Sequence, residues 1–322
     1  QYWLKARANG HDSDLESYSF PIMACRNLKF DFPSEDDRSV RSTFAYAYQF
    51  DAVLYARYLR RWAESKGLQR TEGKVVEVNL RPEDGFIRSL TLASGEVVEG
   101  DLFIDCSGFR SLLLGQTLKV PWEDWTPWLP CDRALAVPCD RAGDFTPYTR
   151  ATAREAGWTW RIPLQHRTGN GYVFSSRFTT EDRAAEVLLA GLDGKAQADP
   201  RLIKFAAGRR KQSWYKNCIA IGLASGFLEP LESTSIYLAQ MASDFVMRLF
   251  PGKDIDPKLV AEFNRTIDIE YDRVRDFLIL HYHANQKPAE EDPTGLWRYV
   301  REMTVPDTLI EKMETFKHRG HI

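Results

Sequence analysis

The chain has 322 residues, 43% of them hydrophobic and 27% charged, with a formal net charge of −2. That length suits one large domain or two ordinary ones, and the composition is that of a soluble globular protein. The small net charge argues against nucleic acid or an anionic membrane as partner, and no apolar run approaches the ~20 residues of a membrane span.

The opening residues, QYWLKARANGHD, hold no signal-peptide core and no initiating Met, as expected of a trimmed or partial chain. Residues 1–50 mix turns and short extended pieces. Asp51 has the character of an N-cap. Leu54, Tyr58 and Trp62 follow at helical spacing and Gly67 stands past the end, which predicts a helix of about four turns. Residues 74–80, 86–92 and 96–99 are separated by Glu83-Asp84-Gly85 and Ser94-Gly95, which predicts a three-stranded antiparallel meander. Residues 101–108 (DLFIDCSG) carry the apolar run Leu102-Phe103-Ile104, which predicts a strand buried on both faces.

Residues 120–150, rich in Pro, Trp and Asp, are expected to be irregular. Residues 158–163 (WTWRIP) and 172–178 (YVFSSRF) read as paired strands around a turn at Thr168-Gly169-Asn170-Gly171. Trp158 and Trp160 alternate along the first of these, so both indoles face one side, either as core or as an aromatic wall between two compartments. Residues 219–238 (IAIGLASGFLEPLESTSIYL) run from an apolar strand through a Gly-containing turn and Pro230 to Glu232. Ser233-Thr234-Ser235 then open a helix that ends at Pro251-Gly252. The first N–H groups of a helix have no partner within it and carry the positive end of the dipole, so this segment predicts an anion site. Glu232 is an unfavourable neighbour for an anion. It is either a capping acid or a buried acid that stabilises a cation or takes up a proton.

From Asp256 to about His283, Val260, Phe263, Ile267, Val274 and Phe277 predict one long helix, and a short one is expected near residues 308–316. His281 and His283 point to different faces, which argues against a shared metal and leaves them as packing or surface residues. No G-x-G-x-x-G fingerprint is present. The five cysteines, Cys25, Cys106, Cys131, Cys139 and Cys218, are odd in number and lack a C-x-x-C pair. They read as reduced thiols of a cytoplasmic protein.

GWTWRIP at residues 157–163, DLFIDCSG at 101–108 and FLEPLEST at 227–234 together resemble the flavin-dependent tryptophan halogenase family, for which Trp-x-Trp-x-Ile-Pro is highly specific. The likeness runs from about Tyr2 to the end of the chain and includes His281-Tyr282. It implies an α/β, FAD-binding fold of the flavin-monooxygenase type with a β-meander and a mostly helical C-terminal substrate unit, divided at residues 1–250 and 251–322. It also implies the chemistry: reduced FAD, delivered by a separate flavin reductase, turns oxygen and halide into hypohalous acid. That species then travels through a tunnel to tryptophan, indole or a related small aromatic substrate. A homodimer is compatible with the resemblance.

On this likeness Glu232 is the catalytic acid that stabilises the cationic arene and assists loss of its proton. Trp158 and Trp160 are the wall that shields the flavin from substrate. Val75, Leu223, Ser233 and Ile236 contact FAD, and Thr234 and Ser235 hold the halide through their backbone amides. Ser235 stands where the family has Gly, so a site that requires φ > 0 there is expected to be reshaped. The family's FAD fingerprint and its hypohalous-acid-positioning lysine are expected upstream of Gln1, and its substrate-covering segment after Ile322. Two alternatives stay open: a flavin monooxygenase that hydroxylates an arene within the same fold, and a non-catalytic homologue.

Overall fold

A computed structural model describes residues 2–143 and 145–320. Where no element was expected, α1 (Tyr2–Ala8) and α2 (Phe20–Arg26) form, and Pro21 occupies the first turn of α2, where its missing N–H is not needed. The predicted helix α3 (Ala52–Ser65) follows, capped by Asp51, whose Oδ1 accepts from the amides of Val53 and Leu54 at 2.9 and 3.2 Å. Its stripe of Leu54, Tyr58 and Trp62 is more than half exposed among the described residues.

The meander forms as predicted, with β1 (Val75–Leu80), β2 (Ile87–Leu92) and β3 (Val97–Glu99) paired in that order. Strand β4 (Phe103–Asp105) departs from the expected burial on both faces, because Phe103 and Asp105 are buried while Ile104 is 41% exposed. The Asp105 carboxylate accepts from Ser107 N, Ser107 Oγ, Leu113 N and Leu114 N, all within 3.0 Å. A buried charge needs that many donors. Asp105 therefore anchors the Ser107-Gly108 turn against the π-helical turn Leu112–Thr117.

Residues 120–150 are more regular than expected. They hold β5 (Trp122–Asp124), β6 (Arg133–Cys139) and the start of β7 (Arg150–Arg154). Next come β8 (Gly157–Pro163) and β9 (Thr168–Phe174), then α4 (Glu181–Ala190) and β10 (Arg201–Lys204). These strands make a five-stranded sheet in the order β10-β6-β9-β8-β7, with Ala184 and Leu188 of α4 packed on Leu135, Tyr172 and Phe174. The turn placed at Thr168–Gly171 is overturned, since these residues already belong to β9 and the chain reverses at residues 164–167. Gly171 pairs with Trp160, and a Cβ on it would lie 2.0 Å from the indole. The glycine lets the ring lie flat across the neighbouring strand instead of making a turn.

Strands β11 (Gly208–Arg210), β12 (Trp214–Tyr215), β13 (Cys218–Ala220) and β14 (Gly226–Phe227) build two small sheets, β14-β11-β5 and β12-β13-β4, with β13 parallel to β4. Helix α5 (Thr234–Arg248) leads to α6 (Pro257–His283), which Asp256 caps on Lys258 N at 2.8 Å. The chain closes with α7 (Leu296–Glu302) and α8 (Asp307–Arg319), the latter enclosing the predicted short helix. Of the α6 stripe, Phe263, Ile267 and Val274 are buried, whereas Phe277 is 48% exposed. The largest core cluster joins Trp158 and Trp214 from the sheets, and Trp125 just after β5, to Phe263, Leu278 and Leu296 from the helices. Among the described residues no helix is long and apolar enough to cross a membrane.

Candidate active site

The site is built by the connection from β13 to α5. One 3₁₀ turn, Gly222–Ala224, precedes β14, and a second, Pro230–Glu232, follows it. Pro230 presets φ for this second turn. Ser233 donates its N–H to the Pro230 carbonyl at 3.1 Å and adopts φ 56°, ψ 30°. This left-handed conformation is uncommon for a residue with a Cβ. Positive φ thus falls at Ser233, while Ser235 lies in the first turn of α5 and takes none. The expected strain at Ser235 is therefore corrected: serine in place of glycine is compatible with the backbone there. Ser233 makes no side-chain cap, and Thr234 Oγ1 is buried without a hydrogen-bond partner. The N–H groups opening this 15-residue helix thus lack a side-chain cap from Ser233 and sit at the positive end of its dipole.

Glu232 is 41% exposed, and its Oε1 lies 2.9 Å from Nε2 of His281 on α6. His281 Nδ1 lies 2.8 Å from the Phe277 carbonyl, which only accepts, so Nδ1 carries a proton. His281 is a surface residue, as expected, and its contact with Glu232 is not encoded by sequence spacing. His283 instead faces the Val300 carbonyl, and no metal-ligating group of three or more His, Cys, Asp or Glu occurs among the described residues.

Sequence reasoning passed over Glu229, which is 1% exposed. Its Oε2 accepts from Trp158 Nε1 at 3.1 Å and from the Tyr282 hydroxyl at 2.8 Å, and the Cys131 thiol stands 3.5 Å from that hydroxyl. Oε1 has no partner. Burial pushes the Glu229 carboxyl up to about 7, against the opposing effect of the bonds from Trp158 and Tyr282. Burial likewise holds the Cys131 thiol and the Tyr282 hydroxyl well above their ordinary values. The signal in the sequence was an acid enclosed in the apolar run FLEPL.

Two clefts flank the start of α5. One, of about 590 Å³, is lined by Leu223, Ser235, Ile236, Leu238 and Tyr271 among others. The other, of about 390 Å³, is bordered by Ser233 together with Phe20, Tyr46, Tyr48 and Pro147. The structure thus gathers Leu223, Ser235 and Ile236 on one side and sets Ser233 on the other. Val75 on β1 borders neither cleft, nor do Trp158 and Trp160. The two indoles lie 6.0 Å apart on the same side of β8, as expected from their alternation, with Trp158 buried in the core.

Residues 1–322 match the tryptophan halogenase family. The tryptophan 6-halogenase ThaL of Streptomyces albogriseolus is 37% identical over 98% of this chain, and the tryptophan 7-halogenase RebH of Lentzea aerocolonigenes is 40% identical over 98%. BrvH, a flavin-dependent halogenase from Brevundimonas sp. BAL3, superposes with a TM-score of 0.93 at 48% identity over 98% of the chain. The chain spans 59% of the length of ThaL and of RebH, and 64% of the BrvH structure. With an α/β scaffold matched across this length and the FLEPLEST connection at its centre, the chain belongs to the tryptophan halogenase family.

Proposed function

We propose that the protein carrying this sequence halogenates tryptophan, indole or a related electron-rich arene, using FAD, oxygen and halide. The observation that carries this reading is the division at the start of α5, where Ser233 and Ser235, two residues apart, border different clefts. A reaction in which a diffusible oxidant is made in one place and used in another needs such a partition. The apolar lining at Leu223, Ile236 and Leu238 fits a flat ring system, and the helix N-terminus beside it fits an anion. Leu223 and Ile236 would hold FAD, with Val75 and Ser233 as further contacts; reduced by a separate flavin reductase, the flavin would activate oxygen, and oxygen is the oxidant that takes halide to hypohalous acid.

The chain's own residues do the rest. The backbone amides of Thr234 and Ser235 hold the halide. Glu232 faces the arene, where its carboxylate stabilises developing positive charge, the more so once bound substrate displaces the solvent that reaches it. It also accepts the proton the arene loses, and His281, 2.9 Å from it and one third exposed, passes that proton on to solvent. Trp158 and Trp160 keep the arene away from the flavin, so that oxygen is not transferred to it directly.

The test is to incubate the intact protein with a flavin reductase, NADH, FAD, chloride or bromide, and a panel of indoles. Halogenated products identified by mass and isotope pattern are expected. Hydroxylated products without halide would overturn the reading in favour of a monooxygenase.

A further inference from the structure

Two side-chain contacts connect the same pair of segments, one an ion-pair contact at the surface and one a hydrogen bond in the core. In the exposed one, Glu232 meets His281 at 2.9 Å. In the buried one, Glu229 accepts from Tyr282 at 2.8 Å. Glu229 and Glu232 lie at the two sides of the Pro230–Glu232 turn, and His281 and Tyr282 are consecutive on α6. Consecutive residues of a helix point about 100° apart, so α6 can offer Tyr282 inward and His281 outward only at one rotation. The same Oε2 of Glu229 also accepts from Trp158 Nε1 at 3.1 Å, which joins the indole strand to this ladder.

We propose that Glu229 is a positioning residue: by accepting from Tyr282 and Trp158 in the core, it fixes the register of the turn against α6, and so the alignment of Glu232 with His281. The inference deepens the functional reading above and rests on it only for the activity readout. The groups packed around Glu229 are Cys131 before β6, Trp158 on β8, and Tyr282 with His281 on α6. None is a cation fixed at all pH values, and Oε1 has no partner, so a neutral carboxyl suits this enclosure better than an unpaired charge. The acceptor oxygen is therefore the working part of the side chain, and an amide oxygen can replace it.

Two variants isolate this. Tyr282→Phe removes only the inner hydroxyl and keeps the ring, and Glu229→Gln keeps an acceptor for both donors. Their activity and the ¹⁵N signal of the His281 ring are compared with wild type in intact, folded protein. Tyr282→Phe is expected to lower kcat about tenfold with little change in KM, in line with the sensitivity of catalysis to small misplacements, and to move the His281 Nε2 resonance. Glu229→Gln is expected to stay within about twofold of wild type in kcat, as an acceptor that preserves the positioning should, and to leave that resonance in place. If the resonance is the same in wild type and Tyr282→Phe, or if Glu229→Gln moves it, the positioning role is overturned. Because the resonance is read without turnover, an inactive wild type would count against the halogenase reading and leave the ladder to be judged on the spectra alone.

Discussion

Glu229 has lost nearly all contact with water, and both of its donors bond to one oxygen, leaving the other without a partner. Its carboxyl is raised from 4.5 to about 7, which is worth on the order of 3 kcal/mol. The sign follows from proton counting. Below about 4.5 the folded and unfolded states both hold the proton, and the contribution to stability is fully present. As pH rises toward 7 the unfolded chain releases the proton and the folded one keeps it, so stability falls through that window and levels off above it. Urea unfolding at pH 4.5 and pH 7.5 is therefore expected to show a loss across this range in the wild type, and a loss smaller by about 3 kcal/mol in Glu229→Gln. Equal losses in the two proteins would mean that Glu229 does not hold its proton in the fold. Glu232, three residues on, is solvated and pairs with His281 instead. Two acids of one short motif thus have opposite environments, and only the exposed one had been singled out from sequence.

Elements announced by their own residues were legible. Helix α3 carries a cap and a period of its own, as does α6, and the meander is marked by Gly-containing turns. Strands β5 and β6 were not legible, because Pro121, Pro127, Pro130 and Pro138 give their surroundings the composition of a loop. Their strand conformation comes from partners distant in the chain, β11 for β5 and β9 with β10 for β6. The start of β9 was missed for a similar reason: Gly169 and Gly171 look like a turn until Trp160 is seen lying over Gly171. The active-site motif was legible as strand, turn and helix start, but its partners on α6 and β8 were not, since no spacing rule joins residue 229 to residues 158 and 282. Gly171→Ala tests the strand-level account. A methyl group there collides with the Trp160 ring and with the Leu135 carbonyl at 2.5 Å, so the indole must swing away. A destabilisation of about 1–3 kcal/mol in chemical unfolding is expected, together with a change in near-ultraviolet circular dichroism from the Trp158–Trp160 pair. A silent substitution would show that the indole does not rest on that strand.

Across the molecule, one core links the five-stranded sheet to α5, α6, α7 and α8, and the β13–α5 connection runs between two clefts on its surface. The cleft at Leu223, Ser235 and Ile236 is apolar and lies beside the helix N-terminus, whereas the cleft at Ser233 is edged by Phe20, Tyr46 and Tyr48. An acid next to an anion site is unfavourable when the two share a compartment, and Glu232 lines neither of these clefts. The central claim is therefore a division of labour, with oxidant formed on the Ser235 side and transferred to the arene on the Glu232 side. It is tested most directly in Glu232→Gln by following two products together: hypohalous acid captured by a free β-diketone trap, and the halogenated indole. The account predicts that trapped halogen stays within about twofold of wild type while indole halogenation falls at least ~100-fold, the scale of a lost catalytic acid–base group. Indole halogenation that persists in the variant, or trapped halogen that falls with it, would contradict the account.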